Sequence, residues 1–281
     1  MANADFEIPA DKLPPGFLDT LGEIPEHPAP ARAAATVALL RSGPDGMEVL
    51  LLRRTRSAGF VPGAYVFPGG RVDSKEADPE VLKSLSGMTS EVAARRLQLL
   101  AGDVPAVAYY LAALREAFEE TGILVAIDAQ KQPVPSAADD ASLAKLQDAL
   151  LAKQATFGTV LDETHSRLDG AAIEYIAHWV TPIIEARRYD TRFFAAEVPS
   201  GTGFRLSPTE MTDGVWITPQ GALDRQGEGS MPMVFPTIKT LQALAPYLTP
   251  SDVIKSFRKE EIGEILPTLV KTATGVGIKL P

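Results

Sequence analysis

Cysteine is absent from this 281-residue chain, which excludes disulfides, thiolate metal sites and cysteine nucleophiles. Histidine is scarce: His27, His165 and His178 are scattered, so a histidine-rich zinc site is not expected. No apolar run reaches the roughly 20 residues that span a bilayer. Positive charge is also short, with 27 Lys+Arg against 36 Asp+Glu and a net charge of −9. A general nucleic-acid binder carries a basic footprint instead, so neither nucleic acid nor membrane is an expected partner. The start, Met1-Ala2-Asn3-Ala4-Asp5, has no basic region followed by an apolar stretch. The end, Gly277-Ile278-Lys279-Leu280-Pro281, lacks a peroxisomal tripeptide. These features read as a soluble cytoplasmic protein. Apolar residues, by contrast, make up 45% of the chain, ample for a core.

The segment Leu114-Arg115-Glu116-Ala117-Phe118-Glu119-Glu120-Thr121-Gly122 carries the most information. At about 100° of rotation per residue, Glu116, Glu119 and Glu120 share one side of a helix, and Val107, Leu111, Leu114 and Phe118 share the other. The apolar stripe packs on a core, so the carboxylates are expected to point away from it. Glu116 and Glu120 form a like-charge i,i+4 pair, unfavourable by a few tenths of a kcal/mol. Gly122 suits the position after the last turn, so the acids lie where the helix dipole also disfavours them. A divalent cation removes both penalties, and hard cations such as Mg²⁺ prefer carboxylate oxygen. The simpler alternative is a solvated acidic face with Arg115 as local partner, although Arg115 before Glu119 is the weaker orientation for a helix ion pair.

Upstream, Gly63-Ala64-Tyr65-Val66-Phe67-Pro68-Gly69-Gly70-Arg71-Val72-Asp73 reads as a short strand entering a tight turn. Pro68 cannot donate to a ladder, and Gly69 and Gly70 let backbone approach another group closely. Together the two segments resemble the Nudix box of the Nudix hydrolases. Gly70 and Glu76 match its first part. Arg115, Glu116, Glu119, Glu120, Gly122 and Ile123 match its second. Glu76 and Arg115 are 39 positions apart, where the ordinary box has eight, so 31 residues are inserted. This split resembles the branch that contains the peroxisomal acyl-coenzyme A diphosphatases. Gly59-Phe60-Val61-Pro62, Trp179-Val180-Thr181-Pro182 and Arg187-Arg188-Tyr189-Asp190-Thr191-Arg192-Phe193-Phe194 are similar to its flanking motifs, and Val215-Trp216-Ile217-Thr218-Pro219 resembles the late strand and turn of many Nudix domains. The likeness runs from about residue 31 to about 245.

The resemblance implies an α+β Nudix fold: a mixed β-sheet between helices, an α/β/α sandwich. It implies hydrolysis of a nucleoside diphosphate linked to another moiety, with Mg²⁺ or Mn²⁺ held by Glu116, Glu119 and Glu120. Glu119 and Glu120 take catalytic roles, Arg115 orients a carboxylate, and Gly69 and Gly70 bring backbone beside the phosphates. The leading substrate is coenzyme A or its acyl esters. ADP-ribose or a dinucleotide is the enzymatic alternative, and a non-catalytic ligand sensor is the alternative of another class. Two basic clusters stand out: Arg53, Arg54 and Arg56, and Arg187, Arg188 and Arg192. Arginine forks suit phosphate oxygens, and coenzyme A carries a 3′-phosphate besides its pyrophosphate. Surface ion pairing is the competing explanation. Tyr65, Phe67, Trp179 and Phe193 read as core aromatics.

Along the chain, residues 1–30 hold Pro9, Pro14, Pro15, Pro25, Pro28 and Pro30 and predict an extended arm. Residues 33–40 and 47–53 predict strands joined by the hairpin signal Ser42-Gly43-Pro44-Asp45-Gly46. A Nudix domain over 31–245 carries helical insertions at about 77–102, with two helices separated near Gly87, and at about 131–170. Asp103-Val104-Pro105 opens the acidic helix. Strands are expected at 173–180, 192–198 and 211–217. Residues 237–248 and 251–272 predict helices, making 246–281 a helical extension packed on the domain. The insertions are expected to pack on the core or form a homodimer contact, with a substrate-selecting lid as the functional alternative.

Overall fold

The computed structural model of the chain describes residues 6–12, 17–19, 21, 25–56, 62–99, 104–207 and 211–281. Expectations placed on residues 1–5, Pro14, Pro15, Gly59-Phe60-Val61 and Asp103 fall outside them. The arm contributes strand β1 (Phe6–Pro9). The hairpin follows as β2 (Arg32–Gly43) and β3 (Gly46–Arg54), closed between Gly43 and Gly46, with Gly46 at φ 119°. Short strands β4 (Tyr65–Val66) and β5 (Gly69–Arg71) carry the glycine turn. The first insertion forms α1 (Pro79–Lys83), β6 (Leu85–Ser86) and α2 (Ser90–Arg96), with Gly87 at φ 74° between the helices. The acidic helix is α3 (Ala106–Thr121), followed by β7 (Ala126–Ile127). The second insertion forms α4 (Ala141–Leu151), α5 (Phe157–Glu163) and β8 (Arg167–Asp169). Then come β9 (Ile173–Val180), β10 (Tyr189–Glu197), β11 (Met211–Ile217), α6 (Pro219–Gly227), α7 (Phe235–Leu244) and α8 (Pro250–Phe257). Strands β12 (Glu264–Ile265), β13 (Thr268–Lys271) and β14 (Gly275–Lys279) close the chain.

The central sheet runs β11-β3-β2-β10-β9-β12, with β4 on β3 and β5 on β2. It is mixed, since β2 and β10 are parallel while β2 and β3 are antiparallel. Strand β2 is buried on both faces, which is why its sequence is nearly continuously apolar. Ala35, Val37 and Leu39 face the core that α3 covers. Ala38 and Leu40 face the second core, built with α6, α7 and α8. Helices on both faces give the expected α/β/α sandwich.

The C-terminal helical prediction is corrected. Helix α8 ends at Phe257, and the remainder is strand. Gly263 and Pro267 interrupt a helical run, and β-branched Thr268 and Val270 favour the strand. The arm is not an extended tail, because β1 pairs antiparallel with β14, Phe6 opposite Ile278. Phe6 also meets Phe235 at 5.4 Å between ring centroids. Strand addition shields an otherwise open edge of β14.

The two insertions are physically joined. Strand β8 pairs with both β6 and β7, and Leu85, Ala93, Leu161 and Leu168 share the α3-side core. An ion clasp on a buried carboxylate fastens this layer to the sheet. Glu174 of β9, 3% exposed, accepts from Arg96 Nη2 at 2.7 Å and from Arg258 Nε at 3.0 Å. Arg96 comes from the first insertion and also donates to the Phe257 carbonyl; Arg258 caps α8. Removing one partner of a buried pair is far costlier than losing a surface pair. Glu174→Gln is therefore expected to lower stability by about 3 kcal/mol in urea unfolding, whereas a loss below about 0.5 kcal/mol, the range of neutral surface changes, would contradict the clasp.

Candidate active site

Helix α3 crosses the sheet with nearly its whole first half buried, from Ala106 to Leu114. Pro105, expected in the first turn, stands one position earlier at the cap, with φ −59°. The helix ends at Gly122, φ 67°, whose N–H donates to the Phe118 carbonyl at 2.8 Å. The last carbonyls of a helix lack partners within it and need donors from elsewhere. Gln147 of α4, fully buried, donates Nε2 to the Glu119 carbonyl at 3.1 Å. The Ser207 and Arg205 N–H groups donate to the Glu120 and Thr121 carbonyls at 3.0 and 2.7 Å. Each donor offsets the negative helix end exactly where the acids stand. Gln147, Arg205 and Ser207 had no motif to announce them; their partners lie in distant segments.

The glycine turn lies over this helix end. Gly69 and Gly70 pair with Thr36 and Ala35 of β2, and Val37 N–H donates to the Pro68 carbonyl at 2.9 Å. The Gly69 N–H then donates to Glu120 Oε2 at 3.2 Å. A Cβ on Gly70 would collide with Glu116 Oε1, and one on Gly69 would stand 2.6 Å from the Ala35 carbonyl oxygen. Glycine is required here by close approach, as the sequence indicated. The three carboxylates lie on the side of α3 away from its apolar stripe, but that side is not open to solvent. Glu120 is only 4% exposed, because β5 folds over that face.

Arg115 organises the cluster. Its guanidinium reaches Glu76 and Glu116 at 2.9 Å and Glu119 at 3.0 Å. Glu76, 39 residues upstream, thus returns to the box despite the insertion. Burial pushes the Glu76 carboxyl above its usual range, opposed by Arg115. Burial alone would lower the Arg115 pKa, but the carboxylates, Glu116 first and then Glu76 and Glu119, outweigh it and raise it. One guanidinium serves several carboxylates, so negative charge remains in excess. Among the described residues, no three acids or histidines are already gathered as a metal cage. The donor set is nonetheless all carboxylate oxygen, with Glu116 and Glu120 pressed on the backbone of Gly70 and Gly69, a composition suited to a hard divalent cation.

The basic clusters divide. Arg53 stacks 5.7 Å from the Tyr65 ring and donates to the Gly63 carbonyl. Arg54 is half-buried and Arg56 exposed at the end of β3. Arg188 serves the backbone, donating to the Thr181 and Ala29 carbonyls at 3.1 and 2.9 Å. Arg192 is buried, paired with Asp190 at 3.0 Å and lying over the Tyr109 ring. His178 bonds the same Asp190 oxygen at 2.7 Å. Of the twelve expected site residues, the structure brings Gly69, Gly70, Arg115, Glu116, Glu119 and Glu120 together, whereas Arg53, Arg188 and Arg192 have the partners given above. Tyr65, Phe67, Trp179 and Phe193 are core residues, as expected. A cavity of about 580 Å³ opens past the end of α3, between residues 123–127, 133–136 and 197–202, and no arginine or lysine lines it.

A family description, the NUDT19 Nudix domain, matches residues 29–244. The chain is 28% identical over 205 residues to the acyl-coenzyme A diphosphatase NUDT19 of Xenopus laevis, covering 63% of this chain and 54% of that protein. The human protein of the same name is 25% identical over 268 residues, covering 84% and 72%. The chain thus spans little more than half of the frog relative. A crystal structure of a NUDIX hydrolase from Alicyclobacillus acidocaldarius superposes with a TM-score of 0.62 at 30% identity, covering 81% of this chain and 96% of the other.

Capping of α3 makes a testable demand. Gln147→Leu removes the donor to the Glu119 and Arg205 carbonyls and the acceptor for Arg205. Leaving buried carbonyls unsatisfied is expected to cost about 2 kcal/mol in thermal or urea unfolding, and an unaltered midpoint would refute the capping role.

Proposed function

We infer the function of this chain from its family: it belongs to the Nudix hydrolases, through a NUDT19 Nudix domain over residues 29–244. In this reading it hydrolyses the pyrophosphate of a nucleoside diphosphate derivative, coenzyme A or acyl-coenzyme A, and releases 3′,5′-ADP and (acyl-)phosphopantetheine. The relatives named acyl-coenzyme A diphosphatase support the substrate. The observation that carries the chemistry is the meeting of Glu116 and Glu120 with the backbone of Gly70 and Gly69.

Glu116, Glu119 and Glu120 would hold Mg²⁺ or Mn²⁺, which when bound neutralises phosphate oxygens and lowers the pKa of a coordinated water. The chain itself supplies position. Arg115 fixes Glu116 and Glu119 relative to one another, while Glu76 holds Arg115 from the other side. Gly69 fixes Glu120. Glu119, the most open of the Arg115-paired acids at 23% side-chain exposure, takes the proton from the attacking water in this scheme. A base must lie within hydrogen-bond reach of that proton. Positioning and charge stabilisation supply most of the catalysis of phosphoryl transfer; the preformed ion-pair frame provides the positioning, and the cation it would hold the charge.

The test is incubation with coenzyme A and Mg²⁺, read by chromatography. Appearance of 3′,5′-ADP and phosphopantetheine is expected; intact coenzyme A beside cleaved ADP-ribose would reject the substrate. Changing Glu119 and Glu120 together to Gln is expected to lower turnover by at least about 10²-fold with a folded protein by circular dichroism. Unchanged turnover would discard the site.

A further inference from the structure

From sequence the second insertion reads as packing, a dimer contact or a lid. Its contacts with α3 give it a different part. Every carbonyl from Ala117 to Gly122, at the end of α3, accepts a hydrogen bond. Ala117 takes the Thr121 hydroxyl and Phe118 the Gly122 N–H. Glu120, Thr121 and Gly122 take the N–H groups of Ser207, Arg205 and Ala137. The Glu119 carbonyl differs, because a side chain from another element serves it: Gln147 Nε2 of α4, at 3.1 Å.

Both ends of the Gln147 amide are engaged. Nε2 also donates to the Arg205 carbonyl at 3.0 Å, and Oε1 accepts from Arg205 Nη1 at 2.8 Å. An amide turned the other way would set Oε1 against two carbonyl oxygens, so one orientation alone satisfies the site. Arg205 also pairs with Asp148, the next residue of α4, at 2.9 Å. Helix α4 and the segment before β11 therefore close on the helix end together. The space between them is filled: a Cβ on Gly122 would stand 2.7 Å from Ala137 Cβ and 3.1 Å from Gln147 Oε1.

Helix ends fray, and Glu119 and Glu120 belong to this last turn. The Gly69 N–H steadies Glu120 from the opposite side, and Arg115 steadies the Glu119 carboxylate. Magnesium demands near-ideal octahedral geometry, so its ligands must not drift. We propose that Gln147, oriented by Arg205, is a positioning residue for the acidic cluster. It fixes the Glu119 backbone, so that Glu119 and Glu120 present their oxygens together to a divalent cation. This role is separate from the stability that capping confers, and it rests on the reading of Glu116, Glu119 and Glu120 as cation ligands. The second insertion then serves the reaction through α3.

The experiment titrates Mn²⁺ into the full chain and into Gln147→Leu, reading free Mn²⁺ by electron paramagnetic resonance, and measures kcat and KM for coenzyme A at saturating Mg²⁺. Gln147→Leu is expected to bind Mn²⁺ about tenfold more weakly and to lose about tenfold in kcat, the scale seen when a partner behind a metal ligand is removed. KM for coenzyme A is expected to stay within about twofold. Arg205→Met, at a half-buried position, frees the Gln147 amide and is expected to move both readouts the same way; it decides the matter if Gln147→Leu does not fold. Glu174→Gln, destabilised far from the cluster, is the control and is expected to leave Mn²⁺ affinity and kcat unchanged below its unfolding midpoint. Unchanged Mn²⁺ affinity in folded Gln147→Leu or Arg205→Met, or an equal loss in Glu174→Gln, overturns the positioning role while leaving the diphosphatase reading intact. A full chain that binds Mn²⁺ but cleaves no coenzyme A overturns the substrate reading, and the Mn²⁺ titrations still decide the role of Gln147. A full chain that binds no Mn²⁺ overturns both.

Discussion

Everything in this site depends on holding several carboxylates at a helix end that electrostatics disfavours for them. Three features of the structure offset that cost. Arg115 shares its charge among Glu76, Glu116 and Glu119. Backbone N–H groups and the Gln147 amide cover the carbonyls of the last turn. The glycine turn presents its own N–H to Glu120. The compensation is incomplete, and the remaining negative charge is what suits the site to a cation and, through it, to an anionic substrate.

The insertions belong to the same construction. The first lies between the two halves of the box, yet Glu76 still reaches Arg115, because α3 packs against the segment at Glu76 and against α2. The second insertion supplies Gln147 to the end of α3 and pairs with the first through β6 and β8. The Glu174 clasp ties that layer to α8. Additions to the sequence thus serve as buttresses for the acidic helix.

Much of this was legible in the residues. The hairpin showed itself through two apolar runs on either side of Ser42-Gly43-Pro44-Asp45-Gly46, and α3 through its apolar stripe and Gly122. Gly69 and Gly70 followed from the turn they make. What was not legible depends on long-range contact. The burial of Glu120 requires β5 to fold over the helix, and nothing local to residues 114–122 encodes that. The helix expected over residues 251–272 is a different case: Gly263 and Pro267 already interrupt it locally, and only the pairing of β14 with β1 is long-range. Arg188 looked like a phosphate fork, but the carbonyls of Thr181 and Ala29 claim it.

The central claim is that a divalent cation binds between the glycine turn and the acidic end of α3. The most direct measurement is anomalous diffraction from crystals soaked in Mn²⁺. The account predicts a Mn²⁺ peak within coordination distance of Glu116 and Glu120, beside Gly69 and Gly70. Ordered Mn²⁺ found only elsewhere, with those carboxylates still turned to Arg115 and the backbone, would contradict it.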